Sequence, residues 1–237
     1  MTDADLADLA RDTANRNWDL KEIQLDPDEK ALGIKKAKGQ VVDLTIALTG
    51  IYHTDLAPDI NPDPTPRLSP EGETIGYKGI ERPWVVHCEN YPYDLAGTTD
   101  ITEIENLHTD PSKQAELQII IRDTKTAKAK PSQGKVDDHD QFTCYGLAHN
   151  VIDGHAPTAY AYDALVKTKV PKAVTMWTTR DAADFAVFMA RFENACEMIE
   201  KEAFVPIGRD AWQCSSRFCG FHSTCRYAKG RLSMSFV

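Results

Sequence analysis

The chain has 237 residues, of which 42% are hydrophobic, so it can build a substantial core as one large domain or two small ones. No apolar run approaches the roughly 18 residues that a membrane span needs, and the acidic start, MTDADLADLARD, lacks the apolar segment of a secretory signal. These features predict a cytoplasmic protein without a membrane partner. In that compartment the six cysteines are expected to be thiols or metal ligands rather than disulfides.

The net charge of −9 is unevenly distributed along the chain. Residues 1–110 carry 22 acidic and 10 basic side chains, whereas residues 111–237 carry 14 and 17. Phosphate binding needs only a local basic surface, so the acidic total does not exclude nucleic acid as a partner. The candidate basic residues, which could equally be solvated surface, are Lys125, Lys128, Lys130, Lys135, Arg217, Arg226, Lys229 and Arg231.

Hydrophobic periodicity and turn residues predict the elements of the first half of the chain. In order, they are a helix over residues 3–12, a helix over about 28–53, an irregular loop over 54–75, and a hairpin of strands at 82–89 and 95–105. The second helix carries one apolar stripe, made of Val41, Leu44, Leu48 and Ile51. The loop is assigned because its sequence is rich in proline and aspartate.

The second half is predicted to alternate strands and helices. In order, they are a strand at 119–125, a helix at 137–152, strands at 159–166 and 173–179, and a helix from about 180 to 203. The last helix has a stripe formed by Phe185, Met189, Phe192, Cys196 and Ile199. This order predicts an α/β fold with a mixed central sheet flanked by helices. We expect a single domain, with a helical entry (1–53), a loop (54–80), a core (81–203) and a cysteine-rich tail (204–237).

A charged pair ends the most apolar strand, IIIRDTK. Asp123 and Lys125 are two residues apart and therefore project from the same face of the strand. Asp100 lies on the preceding strand, so the two carboxylates could converge on a hard cation such as Mg²⁺. Such an ion polarises phosphoryl oxygens, and the lysine can orient a water or stabilise developing charge. The alternative is an ordinary Asp–Lys surface pair.

The following helix adds Gln141 and Tyr145, which lie one turn apart on the same face. The ordered set G-x-x-D, apolar strand with D-x-K, and Q-x-x-x-Y resembles the PD-(D/E)XK nuclease superfamily. The similarity is greatest to its RecB-like exonuclease branch, in the form often carried by bacteriophages, and covers roughly residues 30–230. The resemblance implies a restriction-endonuclease-like core.

The resemblance also implies a role for each motif residue. Asp100, Asp123 and the main-chain carbonyl of Thr124 would bind Mg²⁺ or Mn²⁺, and Lys125 would be the catalytic lysine. The residues expected to contact DNA are Gln141, Tyr145, Lys128 and Lys130, with Lys135 extending the basic track.

The family places a His or Glu on an early helix, and here Asp43 occupies that position in KGQVVD. Asp43 is shorter than either residue; it could still bind the metal directly or through water, or be a helix-surface acid. His53 is a second candidate in the same segment.

Three cysteines crowd the C-terminal segment WQCSSRFCGFHSTCRY: Cys214, Cys219 and Cys225. They resemble the late cysteines of RecB-like nucleases with an iron–sulfur cluster, such as AddB-type subunits and CRISPR-associated relatives. That resemblance implies a [4Fe–4S] cluster, for which Cys88 is the candidate early ligand, although the spacing C-x4-C-x5-C is looser than in those relatives. With His222 as fourth ligand, the same residues would suit a structural Zn²⁺.

The remaining cysteines, Cys144 and Cys196, are interpreted as small apolar residues on helix faces. Together the motifs predict a metal-dependent DNA exonuclease that acts in phage or bacterial recombination, repair or replication. A single-strand annealing or recombination protein is the expected protein partner. The alternative is a non-catalytic DNA-binding or recombination-complex subunit whose C-terminus is held by a metal.

Overall fold

The computed structural model describes residues 2–20, 31–106, 117–203, 207, 211, 213–216 and 218–225. Five α-helices are numbered here in chain order: α1 (Asp3–Leu20), α2 (Ile34–Ile51), α3 (Gln133–Asp137), α4 (Asp140–Asp153) and α5 (Ala182–Glu200). A π-helical turn, Tyr52–Leu56, and a 3₁₀ turn, Ala57–Asp59, follow α2. Within these described residues, no helix has the length and apolar character to cross a bilayer.

Among the described residues, seven strands form two sheets. They are β1 (Pro66–Leu68), β2 (Thr74–Tyr77), β3 (Ile80–Val86), β4 (Leu95–Asn106), β5 (Leu117–Ala127), β6 (Ala159–Val166) and β7 (Lys172–Thr178). The central sheet has the order β3-β4-β5-β6-β7; β5 and β6 are parallel, and the other pairs are antiparallel. The result is the mixed sheet flanked by helices that the sequence predicts.

The two faces of the central sheet are covered differently. On one face, Ile121 of β5 joins Phe142 and Tyr145 of α4 and Tyr160 of β6 in the main hydrophobic core. On the other face, the apolar stripe of α2 packs on the sheet through Leu48, in a smaller cluster with Leu56, Ile60 and Leu165. The sheet is therefore buried from both sides, as its near-continuous apolar strands require.

An ion-pair network crosses the sheet on the α2 face. The Arg122 guanidinium donates to Asp163 from Nε (2.9 Å) and Nη2 (3.2 Å), and to Glu103 Oε2 from Nη1 (3.1 Å). Thr175 Oγ1 donates to Asp163 Oδ1 at 2.6 Å, and the Asn61 N–H donates to Glu103 Oε1 at 2.7 Å. These contacts join β4, β5, β6 and β7 on the face of the sheet opposite to Asp123.

Two predicted elements are wrong in detail. The segment 54–75 is not wholly irregular: it contains the two helical turns, and its later part forms an antiparallel pair of β1 and β2. Leu68 and Ile75 are exposed there, so no buried face marks these short strands in the sequence. The helix predicted over 137–152 is interrupted, because α3 ends at Asp137 and His139 has extended backbone (ψ 98°) before α4 begins.

The remaining elements lie close to their predicted positions. The hairpin of β3 and β4, the central strand β5, and strands β6 and β7 are all present. The first helix is longer than predicted and ends at Leu20. The last helix begins after Asp181, whose side chain accepts from the N–H groups of Ala183 and Asp184 in a capping box. The start of the second predicted helix, residues 28–30, lies outside the described residues.

Candidate active site

The pairing of β4 with β5 brings the two aspartates of the motif together. Ile101 of β4 lies opposite Arg122 of β5 in the antiparallel register. Asp100 immediately precedes Ile101, and Asp123 immediately follows Arg122. The two aspartates therefore approach each other across the strand pair. Their proximity is reflected in the charge of Asp100, which raises the pKa of Asp123.

Asp123 is fully buried, and one of its carboxylate oxygens lacks a partner. Oδ1 accepts a hydrogen bond from Lys125, whereas Oδ2 has no hydrogen-bond donor among the described residues. Burial raises the pKa of Asp123 to about 6, the nearby Asp100 carboxylate adds to this increase, and Lys125 opposes it. A buried carboxylate oxygen without a donor is costly unless a ligand completes its coordination.

Lys125 lies where its position on the strand predicts. Its Nζ is 2.8 Å from Asp123 Oδ1, and its side chain is 35% exposed whereas that of Asp123 is not exposed at all. The ammonium group thus lies between the buried carboxylate and solvent. From this position it can contact a phosphate that approaches the carboxylates.

Gln141 and Tyr145 face the site from α4. The Gln141 amide donates to the Tyr145 hydroxyl. The Tyr145 side chain is only 4% exposed and packs edge-to-face against Trp84, with ring centroids 6.3 Å apart. Burial and the charge of Asp123 raise the pKa of Tyr145, so its hydroxyl stays protonated close to the carboxylates. Gln141 is the more accessible member of the pair.

The predicted basic track continues from the site toward solvent. Lys128 and Lys130 follow β5, and Lys135 lies on α3; all three are exposed.

Thr124 pairs in register with Asp163 of β6. The Thr124 hydroxyl oxygen is buried and, like Asp123 Oδ2, has no hydrogen-bond partner in the described ranges.

The donors around Asp123 fit a hard divalent cation. The carboxylates of Asp100 and Asp123, the latter with its unpartnered Oδ2, supply oxygen ligands of the kind that Mg²⁺ and Mn²⁺ prefer. Among the described residues, no three His, Cys, Asp or Glu side chains are arranged to hold a metal ion. Two carboxylates are nevertheless enough for Mg²⁺, which usually retains several waters and is completed by substrate phosphates.

Among the described residues, the early-helix candidates do not join Asp100 and Asp123 in a metal-binding group. Asp43 is exposed on α2, whose opposite side carries the leucines that pack on the sheet. His53 is exposed in the π-helical turn. The residue of this segment that comes near the carboxylates is Tyr52: burial raises its pKa, and the charges of Asp163 and Asp100 contribute.

The cysteines of the expected cluster do not form a metal-binding group among the described residues. Within the described ranges, Cys88 does not form a metal-binding group with Cys214, Cys219, Cys225 or His222. The charge of Cys88 instead influences the thiols of Cys144 and Cys196, whose pKa values are raised mainly by burial.

The three late cysteines lie in a series of short turns. The N–H of Cys219 donates to the Ser215 carbonyl, and that of Cys225 to the Phe221 carbonyl. These turns follow one another along the tail, and among the described residues they do not bring the three cysteines into a metal-binding group.

Sequence reasoning missed two groups that border the site. His139 lies just before α4, and its ring packs edge-to-face against Tyr162 of β6 at 5.5 Å. Tyr162 is opposite Asp123 in the β5–β6 register, and the charges of Asp123 and Lys125 both act on its hydroxyl. The only sequence signal for His139 is its position two residues before Gln141.

The mixed sheet brings two carboxylates and a lysine together, an oxygen-rich arrangement that suits a divalent cation. A family model described as the PD-(D/E)XK nuclease superfamily matches residues 70–226, about two thirds of the chain. The chain therefore belongs to the PD-(D/E)XK nuclease superfamily, and this membership implies nuclease activity. A search of curated proteins found no significant match.

Proposed function

We propose that the protein is a DNA exonuclease that uses Mg²⁺ or Mn²⁺ to hydrolyse phosphodiester bonds. The observation that carries this proposal is the fully buried Asp123, whose Oδ2 lacks a partner beside Asp100 while Lys125 covers Oδ1. A purely structural Asp–Lys pair would not need a second carboxylate against it, since like charges at close range destabilise each other. The geometry thus favours catalysis over a non-catalytic DNA-binding role.

The residues of the site have separable tasks in hydrolysis. Asp100, Asp123 and the Thr124 carbonyl would hold the cation, which when bound polarises a phosphoryl oxygen and increases the acidity of water. Lys125 is placed to orient the attacking water and to offset charge that develops on the phosphate. Water forms the new O–P bond while the bond to the 3′ oxygen breaks, and a proton passes to that oxygen. The products are a 5′-phosphate and a 3′-hydroxyl.

The DNA strand would be held by α4 and by the basic track. Gln141 is accessible and already hydrogen-bonded to Tyr145, so the pair can hold a phosphate or sugar as one unit. Lys128, Lys130 and Lys135 would supply the salt-dependent attraction to the backbone.

We further propose a single nuclease domain that acts in the cytoplasm, in phage or bacterial DNA recombination, repair or replication. A single-strand annealing or recombination protein is the expected partner. The similarity of the motifs to the RecB-like branch supports this context.

The assay for this proposal compares end-labelled linear DNA with closed circular DNA, each single- and double-stranded, in Mg²⁺ or Mn²⁺. We expect release of nucleotides from linear DNA and little cleavage of circles. Equal cleavage of circles would show an endonuclease. Binding of all substrates without cleavage of any would support the non-catalytic subunit instead.

A further inference from the structure

The active-site region contains an imidazole that the proposed mechanism does not use. His139 lies at the N-terminal end of α4, where its backbone carbonyl accepts a hydrogen bond from Arg180 Nη2 at 3.1 Å. Its ring contacts Phe142 (centroids 5.3 Å apart) and Tyr162 (5.5 Å). The side chain is partly exposed and is held in a fixed orientation by these two aromatic rings.

The backbone of His139 is fixed as firmly as its ring. Arg180 donates hydrogen bonds to the carbonyls of Val136 and His139 and to Thr143 Oγ1, and so ties the end of α3 to the start of α4. Two further hydrogen bonds join the same guanidinium to Thr178 and Thr179 at the end of β7. A preorganised side chain loses little entropy when it contacts a ligand.

The two ring nitrogens of His139 are in different environments. Nδ1 is buried and has no hydrogen-bond partner within the part of the chain that the structure describes. A buried N–H without an acceptor is unfavourable, so the neutral tautomer with the proton on Nε2 is preferred. Burial lowers the pKa of His139, and the charges of Lys125, Arg180 and Lys135 lower it further against an opposing effect of Asp140. The imidazole is therefore uncharged at neutral pH.

We infer that His139 binds the DNA substrate by donating its Nε2–H to a phosphate oxygen next to the one that contacts Lys125. The His139 ring contacts Tyr162, which lies opposite Asp123 in the β5–β6 register, and Lys125 contacts Asp123, so one strand can meet both groups. A neutral donor suits this position, since a second full cation would repel Lys125. This inference rests on the proposed nuclease function and adds a phosphate contact that does not bind the metal.

Two variants separate the hydrogen bond from the packing of the ring. His139→Phe keeps the aromatic contacts with Phe142 and Tyr162 but has no donor. His139→Gln can place an amide N–H near the position of Nε2, whereas the shorter His139→Asn cannot. His155→Phe, at an exposed histidine beyond the end of α4, is the matched control.

The measurements are kcat and KM on end-labelled DNA with Mg²⁺, and the DNA Kd at several salt concentrations without metal. Loss of one hydrogen bond to a charged group should lower kcat/KM about tenfold or more in His139→Phe. His139→Gln should recover most of that loss, and His155→Phe should match wild type. The slope of log Kd against log salt should not change, because a neutral donor releases no counterion.

Wild-type kcat/KM in His139→Phe would overturn the inference, as would a salt slope reduced by about one, which indicates a cationic contact. If His139→Phe does not fold, as judged by thermal melting, the comparison of His139→Gln with His139→Asn decides instead. Equal losses in those two variants would show that a donor at Nε2 is not needed. Absence of cleavage by wild type in either metal would instead be a failure of the proposed function.

Discussion

The central residue of the site, Asp123, is held in an unfavourable state when no metal is bound. Its pKa is raised to about 6, above the 3.8 of an ordinary aspartate. The native state therefore binds the extra proton between about pH 4 and pH 6, and its stability relative to the unfolded chain falls as pH rises through that window. Above pH 6 the full cost of the buried charge is present.

Asp123→Asn should consequently stabilise the metal-free protein at pH 8. We expect a gain on the order of 1 kcal/mol. The gain should be largely lost at about pH 3, below both pKa values, where the carboxyl is mostly protonated in the folded and in the unfolded wild type. Thermal denaturation in chelator at the two pH values measures this, and a pH-independent difference would argue against a buried ionised carboxylate. Added Mg²⁺ should stabilise wild type and not the variant.

At the level of elements, strand β5, which carries the D-x-K motif, is held in position by ion pairs on the α2 face of the sheet. Arg122 is 6% exposed in its side chain and neutralises Glu103 on β4 and Asp163 on β6. Its guanidinium also lies over the ring of Trp177, at 5.5 Å from the centroid. The network aligns the two strands that flank β5, and so supports the positions of both Asp123 and Lys125.

Arg122→Met should cost about 3–5 kcal/mol of stability, because it leaves two buried carboxylates without their cation. Urea denaturation of the variant measures the loss. Arg191→Met is the control, because Arg191 pairs with Asp140 at the surface, where both side chains are more than half exposed, and should change stability by less than about 1 kcal/mol. Similar stability of the two variants would show that the network contributes little.

The sequence predicts most elements of the core because their burial leaves a periodic pattern. Strand β6 was predicted at 159–166, and the structure gives Ala159–Val166, a strand buried along nearly its whole length. The pair β1 and β2 is largely exposed and leaves no such pattern. The break before α4 depends on Arg180, which is more than 40 residues from the backbone carbonyls that it holds at that break, and local sequence carries no signal for it.

The site residues that the sequence predicts correctly in position are those on strands. Asp100, Asp123 and Lys125 lie on paired strands, where alternation and register fix the direction of each side chain. Asp43 and His53 were proposed from the order of motifs, yet a helix can turn either residue away from the sheet, and both are exposed. His139 and Tyr162 approach the site only through tertiary packing.

At the scale of the whole molecule, the C-terminal cysteines are candidate metal ligands outside the active site. Cys214, Cys219 and Cys225 are each partly exposed and free. We propose that they bind a metal, as an iron–sulfur cluster with Cys88 or as zinc with His222, in a ligand set that forms when the metal binds. Because either metal would connect or fold the tail, Cys219→Ser should lower thermal stability while the active-site residues are unchanged.

Metal analysis of anaerobically purified protein measures this prediction. Iron with acid-labile sulfide and a brown colour indicates the cluster, and one zinc per colourless chain indicates the Cys₃His site. Cys144→Ser is a suitable control for loss of a thiol outside the tail. Metal-free protein with three titratable tail thiols would agree with their separation from Cys88 and would exclude a metal role.

The most direct test of the active site is DNA cleavage by Asp123→Ala and Lys125→Ala with Mg²⁺ or Mn²⁺, beside wild type and Lys169→Ala. Lys169 is an exposed lysine in the connection between β6 and β7 and controls for loss of a surface charge. We predict that both site variants fold but lose cleavage almost completely, while Lys169→Ala cleaves like wild type. Wild-type cleavage by either well-folded site variant would contradict the assignment of Asp123 and Lys125 as the catalytic pair.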